Sequence, residues 1–137
     1  ATYSLLAAER NIKIVVCERA EEGMGHSLAA AVAASPPNSH WVIALGDMPL
    51  IRPETIGGVV AAIEQGAAFA MPQHNAERGH PVGIHSRFRK DLLVLQGDAG
   101  ARAIIALHKS DVQLIHTEDP GVLIDVDTVA DYQNLSR

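Results

Sequence analysis

Short β-branched runs alternate with alanine-rich stretches of helical spacing along most of this sequence. A run of period two buries its apolar face in a sheet and a stretch of period 3.6 buries it as a helix. The alternation therefore predicts a fold of α/β units rather than a sandwich or a bundle. Ile12 to Cys17 is the first expected strand, and Ser27 to Ala34 is a helix that Ser35-Pro36-Pro37-Asn38 stops. Trp41 to Leu45 is wholly apolar and bounded by turn residues, as expected of a central buried strand. Pro53-Glu54 opens a second helix to about Gln65, with proline and an acid in the first turn where both are favoured. Ala67 to Met71 is the third expected strand. Pro72 to Arg78 is polar and irregular, and Gly79 to His85 reads as a turn entering a short strand, a place for an active-site loop. Ser86 to Leu95 and Ala99 to Lys109 are expected helices, Val112 to His116 and Gly121 to Val126 the last strands. Asp127-Thr128 leads into a closing helix that ends near Leu135.

With 137 residues the chain has room for one domain with a real core, and a single domain over 1–137 is expected. Sixteen acidic residues against eleven Lys and Arg give a net charge of −5, which leaves no surplus to neutralise a nucleic-acid backbone. Nucleic acid is thus disfavoured as a partner. The one cysteine, Cys17, can form neither an internal disulfide nor a cysteine-based zinc site and fits a reducing compartment. No apolar run reaches the length of a membrane span, and Ala1 to Arg10 lacks the order of a leader peptide. A cytoplasmic location without membrane attachment is the expectation.

Ligands of open α/β sheets bind beyond the carboxyl ends of the strands, where loops and helix N-termini converge. Asp47 follows the most apolar strand in the turn Gly46-Asp47-Met48-Pro49, a position that suits either a Mg²⁺ ligand or a residue bonding its own turn. Asp125 and Asp127 stand two apart in Ile124-Asp125-Val126-Asp127-Thr128. A strand through them would send both carboxylates to one face, where a cation could neutralise the pair, whereas Asp127 or Thr128 could instead cap the final helix. Gly23-Met24-Gly25-His26-Ser27-Leu28 lies between a strand and a helix and could cradle an anion or simply turn the chain. It is no dinucleotide fingerprint, since Leu28 stands where the third glycine belongs, and no P-loop occurs. His74, His80 and His85 match no zinc spacing, although His80, held between Gly79 and Pro81, could donate to a phosphate or a heterocycle. In Gly97-Asp98-Ala99-Gly100-Ala101-Arg102, Arg102 near a helix start could pair with an anion or stay solvated.

In order along the chain, Gly23 to Leu28, Gly46-Asp47-Met48-Pro49, Gly79-His80-Pro81-Val82, Gly97 to Arg102 and Ile124 to Thr128 resemble the molybdenum cofactor cytidylyltransferases among the MobA-like nucleotidyltransferases. The resemblance implies a Rossmann-like nucleotidyltransferase fold of the GT-A-like, three-layer kind, with a mostly parallel sheet. It also implies transfer of CMP from CTP to molybdopterin, with Mg²⁺ and release of pyrophosphate. By this resemblance Asp47 is the principal metal ligand, completed by Asp125 and Asp127, and Asp47 and His80 form the catalytic set. Gly23, Met24, Gly25 and Ser27, with Asp47, would contact the nucleotide. Gly79, His80 and Pro81 would line the pterin or reacting-phosphate side, and Asp98 and Arg102 a substrate-facing loop. A recipient molybdoenzyme is an implied partner.

The family begins with a strand and a loop similar to Leu-Ala-Ala-Gly-x-Ser-x-Arg-Met-Gly that grips the triphosphate, and this sequence contains no such segment. The chain resembles the later two-thirds of the domain, lacking the first strand and its nucleotide-binding loop. A fragment of a longer protein, a truncated product, or a chain completed by self-association would each account for that. Two other functional readings stay open. One is a noncatalytic module that holds and delivers molybdopterin; the other is a related nucleotidyltransferase that uses GTP or another phosphorylated acceptor.

Overall fold

The computed structural model describes residues 13–97 and 100–135. They fall into two compact units, one drawn from Ala1–Pro37 and Arg89–Ala106, the other from Asn38–Phe88 and Leu107–Arg137.

In the first unit, helix α1 (Met24–Ala34) buries Gly25 and Val32. The chain just beyond its C-terminal end is held from outside: Arg89 donates to Ser35 Oγ, to the Ser35 carbonyl and to the Pro36 carbonyl, each at 3.3 Å. A guanidinium suits that end of a helix, because it meets the negative end of the dipole. Arg89 itself opens the short helix α3 (Arg89–Leu93), whose Leu92 is fully buried. The expected strand at the start of the chain is absent from its described part. Residues 13–17 have no regular structure, and Val15 and Val16 are exposed. β-branched residues favour a strand only when a neighbour pairs with it, and no strand pairs with this segment among the described residues.

The second unit holds the sheet. Strands β1 (Trp41–Ile43), β2 (Phe69–His74), β3 (Glu77–Arg78), β4 (Val82–Ile84) and β5 (Val112–His116) run in the order β1-β4-β2-β3, with β5 on β2. Only the β2–β5 pairing is parallel, while β1–β4, β2–β4 and β2–β3 are antiparallel. The α/β class therefore holds, but among the described residues the sheet is mixed rather than mostly parallel. The reason is local. β4 returns from β2 through a hairpin, so it runs against both neighbours, and the turn at Asn75-Ala76 needs only two residues.

Helix α2 (Pro53–Glu64) covers one face of this sheet through Val59, Ala62 and Ile63, which pack with Ala70, Val42, Ala67 and Ile115. Each fully buried aliphatic side chain here stabilises the fold by about 1.5–3 kcal/mol. Gly83 permits the close approach, since a methyl group there would collide with Ile63 and Val59. On the other face, Phe69 stacks against Phe88 with ring centroids 4.5 Å apart, and His108 lies 5.2 Å from Phe88. Alternation along β2 makes this possible, with Phe69 and Ala70 pointing opposite ways.

Three expectations shift. The helix expected over Ser86 to Leu95 is a 3-10 turn, Ser86–Phe88, followed by α3, and that over Ala99 to Lys109 is the shorter α4 (Arg102–Leu107). The strand expected over Gly121 to Val126 is a 3-10 turn, Pro120–Leu123, followed by unpaired chain. Pro120 carries no N–H for a ladder, and the Asp119 side chain accepts from the Gly121 N–H, which starts a helical turn. The closing helix is α5 (Val129–Leu135).

The β2–β3 turn carries a cost. Asn75 and Ala76 have φ of 50° and 68°, a left-handed pair in which asparagine is tolerated and alanine is strained. Ala76→Gly should raise stability by about 1 kcal/mol, read as a higher urea midpoint at unchanged slope. An unchanged or lower midpoint would contradict the turn geometry.

Candidate active site

β1, β2 and β5 all run in one direction, so their carboxyl ends share one end of the sheet, and antiparallel β4 begins there. The sequence-derived site residues of the second unit lie on the loops at that end. Asp47 sits in the turn after β1, which is closed by the Met48 N–H donating to the Leu45 carbonyl at 3.2 Å. The backbone carbonyl of Asp47 accepts from the Val126 N–H at 2.6 Å, which binds this turn to the segment carrying the other two acids.

Asp47, Asp125 and Asp127 each offer a carboxylate oxygen, and these atoms all lie within 4.8 Å of one another. Asp125 and Asp127 come together here without belonging to a strand, since residues 124–127 carry no regular structure. The capping alternative is resolved by Thr128. Its Oγ1 accepts from the Asp131 N–H, and Asp131 Oδ2 accepts in return from the N–H groups of Asp127 and Thr128. This reciprocal cap leaves the Asp127 carboxylate free to face its neighbours.

The crowding is visible in protonation. A proton shared with Asp125, the charge of Asp125 and the proximity of Asp47 push the Asp127 carboxyl up to about 6. Three carboxylate oxygens at this spacing, with one carboxyl pushed up by the other two, form a donor set that fits a hard divalent cation. The sign of the pH effect follows. Because its pKa is higher folded than unfolded, Asp127 binds a proton on folding, so the cation-free protein loses stability as pH rises from the ordinary carboxylate range through about 6. A cation must displace that proton. Mn²⁺ affinity should accordingly be constant above pH 7 and weaken by about tenfold per unit below 6, measured by titration calorimetry. Constant affinity down to pH 5 would remove Asp127 from the donor set.

His80 is displayed by a bulge. Gln73 faces Arg78 and Ala70 faces Gly83, so Met71 and Pro72 of β2 stand opposite Gly79 to Val82. Pro72 has no N–H to offer the ladder, and its carbonyl accepts from the Gly79 N–H at 2.9 Å. The His80 N–H donates to the Val122 carbonyl at 3.0 Å, and the His80–Pro81 peptide is cis. Gly79 itself is buried, and a methyl group there would strike the Val122 carbonyl. Burial lowers the His80 imidazole pKa, and the negative charge of Asp47 opposes that only in part. The ring is thus held neutral, with one nitrogen to donate and one to accept.

In the first unit, Gly23 has φ 128° and precedes α1 as its N-cap, which a side chain would resist. The Gly25 N–H donates to the Gly97 carbonyl at 2.7 Å, so in this conformation that donor is committed within the protein. Met24 is exposed, Ser27 half-buried, and Arg102 exposed at the start of α4. Asp98 lies outside the described residues.

One buried acid escaped the sequence reasoning. Asp119 is 2% exposed, and its carboxylate accepts from the Arg52 N–H at 2.8 Å, the Thr55 hydroxyl at 2.7 Å and the Gly121 N–H at 2.9 Å. Burial pushes its carboxyl up, but these donors and the Arg52 guanidinium outweigh that and hold it below the usual range. The signal was present as Asp119-Pro120-Gly121, a turn sequence directly after β5. Beside it opens a cleft of about 390 Å³ lined by Arg52, Glu54, Thr55, Gly58, Ile115, His116, Thr117 and Asp119, none of which belongs to the three-carboxylate cluster.

The described sheet is mixed, and the clustered acids stand on loops at the carboxyl ends of its parallel strands, the place where ligands of α/β proteins bind. The chain belongs to the MobA-like NTP transferase family, whose domain model matches residues 2–114. It is 32% identical over 124 residues to nicotine blue oxidoreductase of Paenarthrobacter nicotinovorans, a match covering 85% of this chain and 61% of that protein. It is 27% identical to the purine catabolism protein PucB of Bacillus subtilis (strain 168), covering all of this chain and 67% of that protein. The chain thus spans about three-fifths to two-thirds of the length of these curated relatives. Among solved structures, Rv0371c of Mycobacterium tuberculosis H37Rv superposes with a TM-score of 0.69 at 27% identity over 81% of this chain and 58% of that one. Its manganese complex gives 0.67 over 80% and 58%. No helix among the described residues is long and apolar enough to cross a membrane.

Proposed function

We propose that this chain carries the metal- and acceptor-side portion of a molybdenum cofactor cytidylyltransferase, which transfers CMP from CTP to molybdopterin and releases pyrophosphate. The observation that carries the proposal is the convergence of Asp47, Asp125 and Asp127, with His80 close enough to feel the charge of Asp47. In the reaction a terminal phosphate oxygen of molybdopterin bonds to the α-phosphorus of CTP while the bond to the pyrophosphate oxygen breaks. Mg²⁺ or Mn²⁺, when bound, would offset charge on the phosphates, a role supported by the manganese complex of the mycobacterial relative. The three carboxylates would hold the cation on one side, and neutral His80 would donate a hydrogen bond to a phosphoryl oxygen. Gly79 and Pro81 would fix the His80 loop at the acceptor. Gly23, Met24, Gly25 and Ser27 are assigned to the nucleotide, and Asp98 and Arg102 to a substrate-facing loop. The protein is placed in the cytoplasm, handing its product to a molybdoenzyme.

The test is pyrophosphate release from CTP or GTP with Mg²⁺, with and without molybdopterin. Release that requires both CTP and molybdopterin supports the proposal. Release with GTP, or with another phosphorylated acceptor in place of molybdopterin, would reassign the substrate within the family. Tight molybdopterin binding with no release from either nucleotide would favour a delivery module.

A further inference from the structure

The three carboxylates hang on two limbs of chain that meet again away from the cluster. The first limb runs from Asp47 through Pro49 and Leu50 to Arg52, where α2 begins, and the second from Asp119 through Gly121 to Asp125 and Asp127. Near the carboxylates the limbs are joined by the Val126 N–H on the Asp47 carbonyl. At the far end they are joined by a single side chain. Asp119 takes the Arg52 N–H and Thr55 hydroxyl of the first limb on Oδ2, and the Gly121 N–H of its own limb on Oδ1. Gly121 lies so close to the Leu50 carbonyl that no side chain fits between them.

We propose that Asp119 is a positioning residue for the divalent-cation site: it clamps the two carboxylate-bearing limbs at a fixed spacing by accepting hydrogen bonds from both. This rests on the reading of Asp47, Asp125 and Asp127 as cation ligands. The geometry argues for a clamp rather than a plain helix cap. Pro53 at the first helical position has no N–H, and Arg52 supplies no side-chain cap of its own. A cap for α2 could therefore have come from any nearby acceptor. Asp119 instead spends one oxygen on each limb, and its own N–H donates to Thr117 Oγ1 at 3.1 Å, so its backbone is fixed as well. Its carboxylate is buried and fully engaged by these donors, and it is not one of the three clustered acids. Outer residues that hold metal ligands in place typically change metal affinity by about 10–100-fold when replaced.

The experiment measures Mn²⁺ binding to the full chain by calorimetry and electron paramagnetic resonance, at pH 7.5, for the unaltered protein and three variants. Asp119→Asn keeps the shape but cannot accept on both sides: with its oxygen left to Arg52 and Thr55, its amide nitrogen faces the Gly121 N–H, and the link to the second limb is lost. It should weaken Mn²⁺ binding by about tenfold or more and broaden the Mn²⁺ signal. Ile84→Val, a change in the buried sheet core, should lower the thermal midpoint and leave Mn²⁺ affinity within about twofold, which separates loss of stability from loss of positioning. Asp47→Asn should abolish binding. If Asp119→Asn folds and binds Mn²⁺ as the unaltered protein does, while Asp47→Asn does not bind, the clamp is overturned and the cation site stands. If the unaltered protein binds no Mn²⁺, the cation reading falls and the clamp falls with it. Should Asp119→Asn fail to fold, Thr117→Val loosens the same carboxylate through its backbone, and unchanged affinity in that variant overturns the proposal.

Discussion

Asp47→Asn should abolish measurable Mn²⁺ binding and reduce any pyrophosphate release by about a thousandfold, equivalent to about 4 kcal/mol of transition-state stabilisation. Asp47 is the half-buried member of the cluster, whereas Asp125 and Asp127 are exposed, so its charge is the least screened by water. Asparagine keeps the size and leaves the backbone carbonyl that receives the Val126 N–H, so the turn should persist. Stability supplies a second readout. Asp125 is the main cause of the raised Asp127 carboxyl, and removing the Asp47 charge relieves the smaller part of that crowding. The cation-free variant should therefore melt no lower than the original at pH 7. A variant that melts lower and still binds Mn²⁺ would show Asp47 to be a turn residue and nothing more.

Gly79→Ala should destabilise the protein by about 3 kcal/mol, the upper range for forcing a methyl group into a packed site. The added carbon would meet the Val122 carbonyl oxygen, a backbone atom that cannot swing aside as a side chain would. Relief requires the Gly79-His80 segment to part from Pro120–Leu123, breaking the His80 N–H bond to Val122. Both stability and the placement of His80 should suffer, seen as a lower denaturation midpoint and a His80 pKa moved back towards its ordinary value. A loss under about 1 kcal/mol would mean that the two loops do not touch as described. The resemblance to the family assigns Gly79 to the substrate, whereas the packing gives it a reason of its own, because only glycine allows the loops to meet.

The sequence disclosed the carboxylate cluster better than the sheet. Asp47 was legible because an apolar run ending in a Gly-Asp turn has few places to go, although β1 ends at Ile43, short of the expected Leu45. Asp125 and Asp127 were legible as a pair from their spacing of two, and they do lie together although the strand assumed for them is absent. Strand direction was not legible. Periodicity assigns β4 its type but is blind to the hairpin return that makes it antiparallel to both neighbours. The β-branched run after Ile12 has the composition of a strand but no partner among the described residues, which composition cannot reveal. Asp119 was missed because its importance comes from Arg52 and Thr55, which are remote in sequence and adjacent only once α2 is laid against the sheet.

The three-carboxylate cluster draws its members from the two sequence segments of the second unit, with Asp47 on one and Asp125 and Asp127 on the other. Neither segment alone can offer the set, so a cation that binds it binds the folded unit and ignores the unfolded chain. Occupancy then becomes a term in the folding equilibrium. At a free concentration one hundred times its dissociation constant, such an ion adds about 2.7 kcal/mol to stability. The protein's resistance to heat and proteolysis would then follow the supply of divalent ion around it.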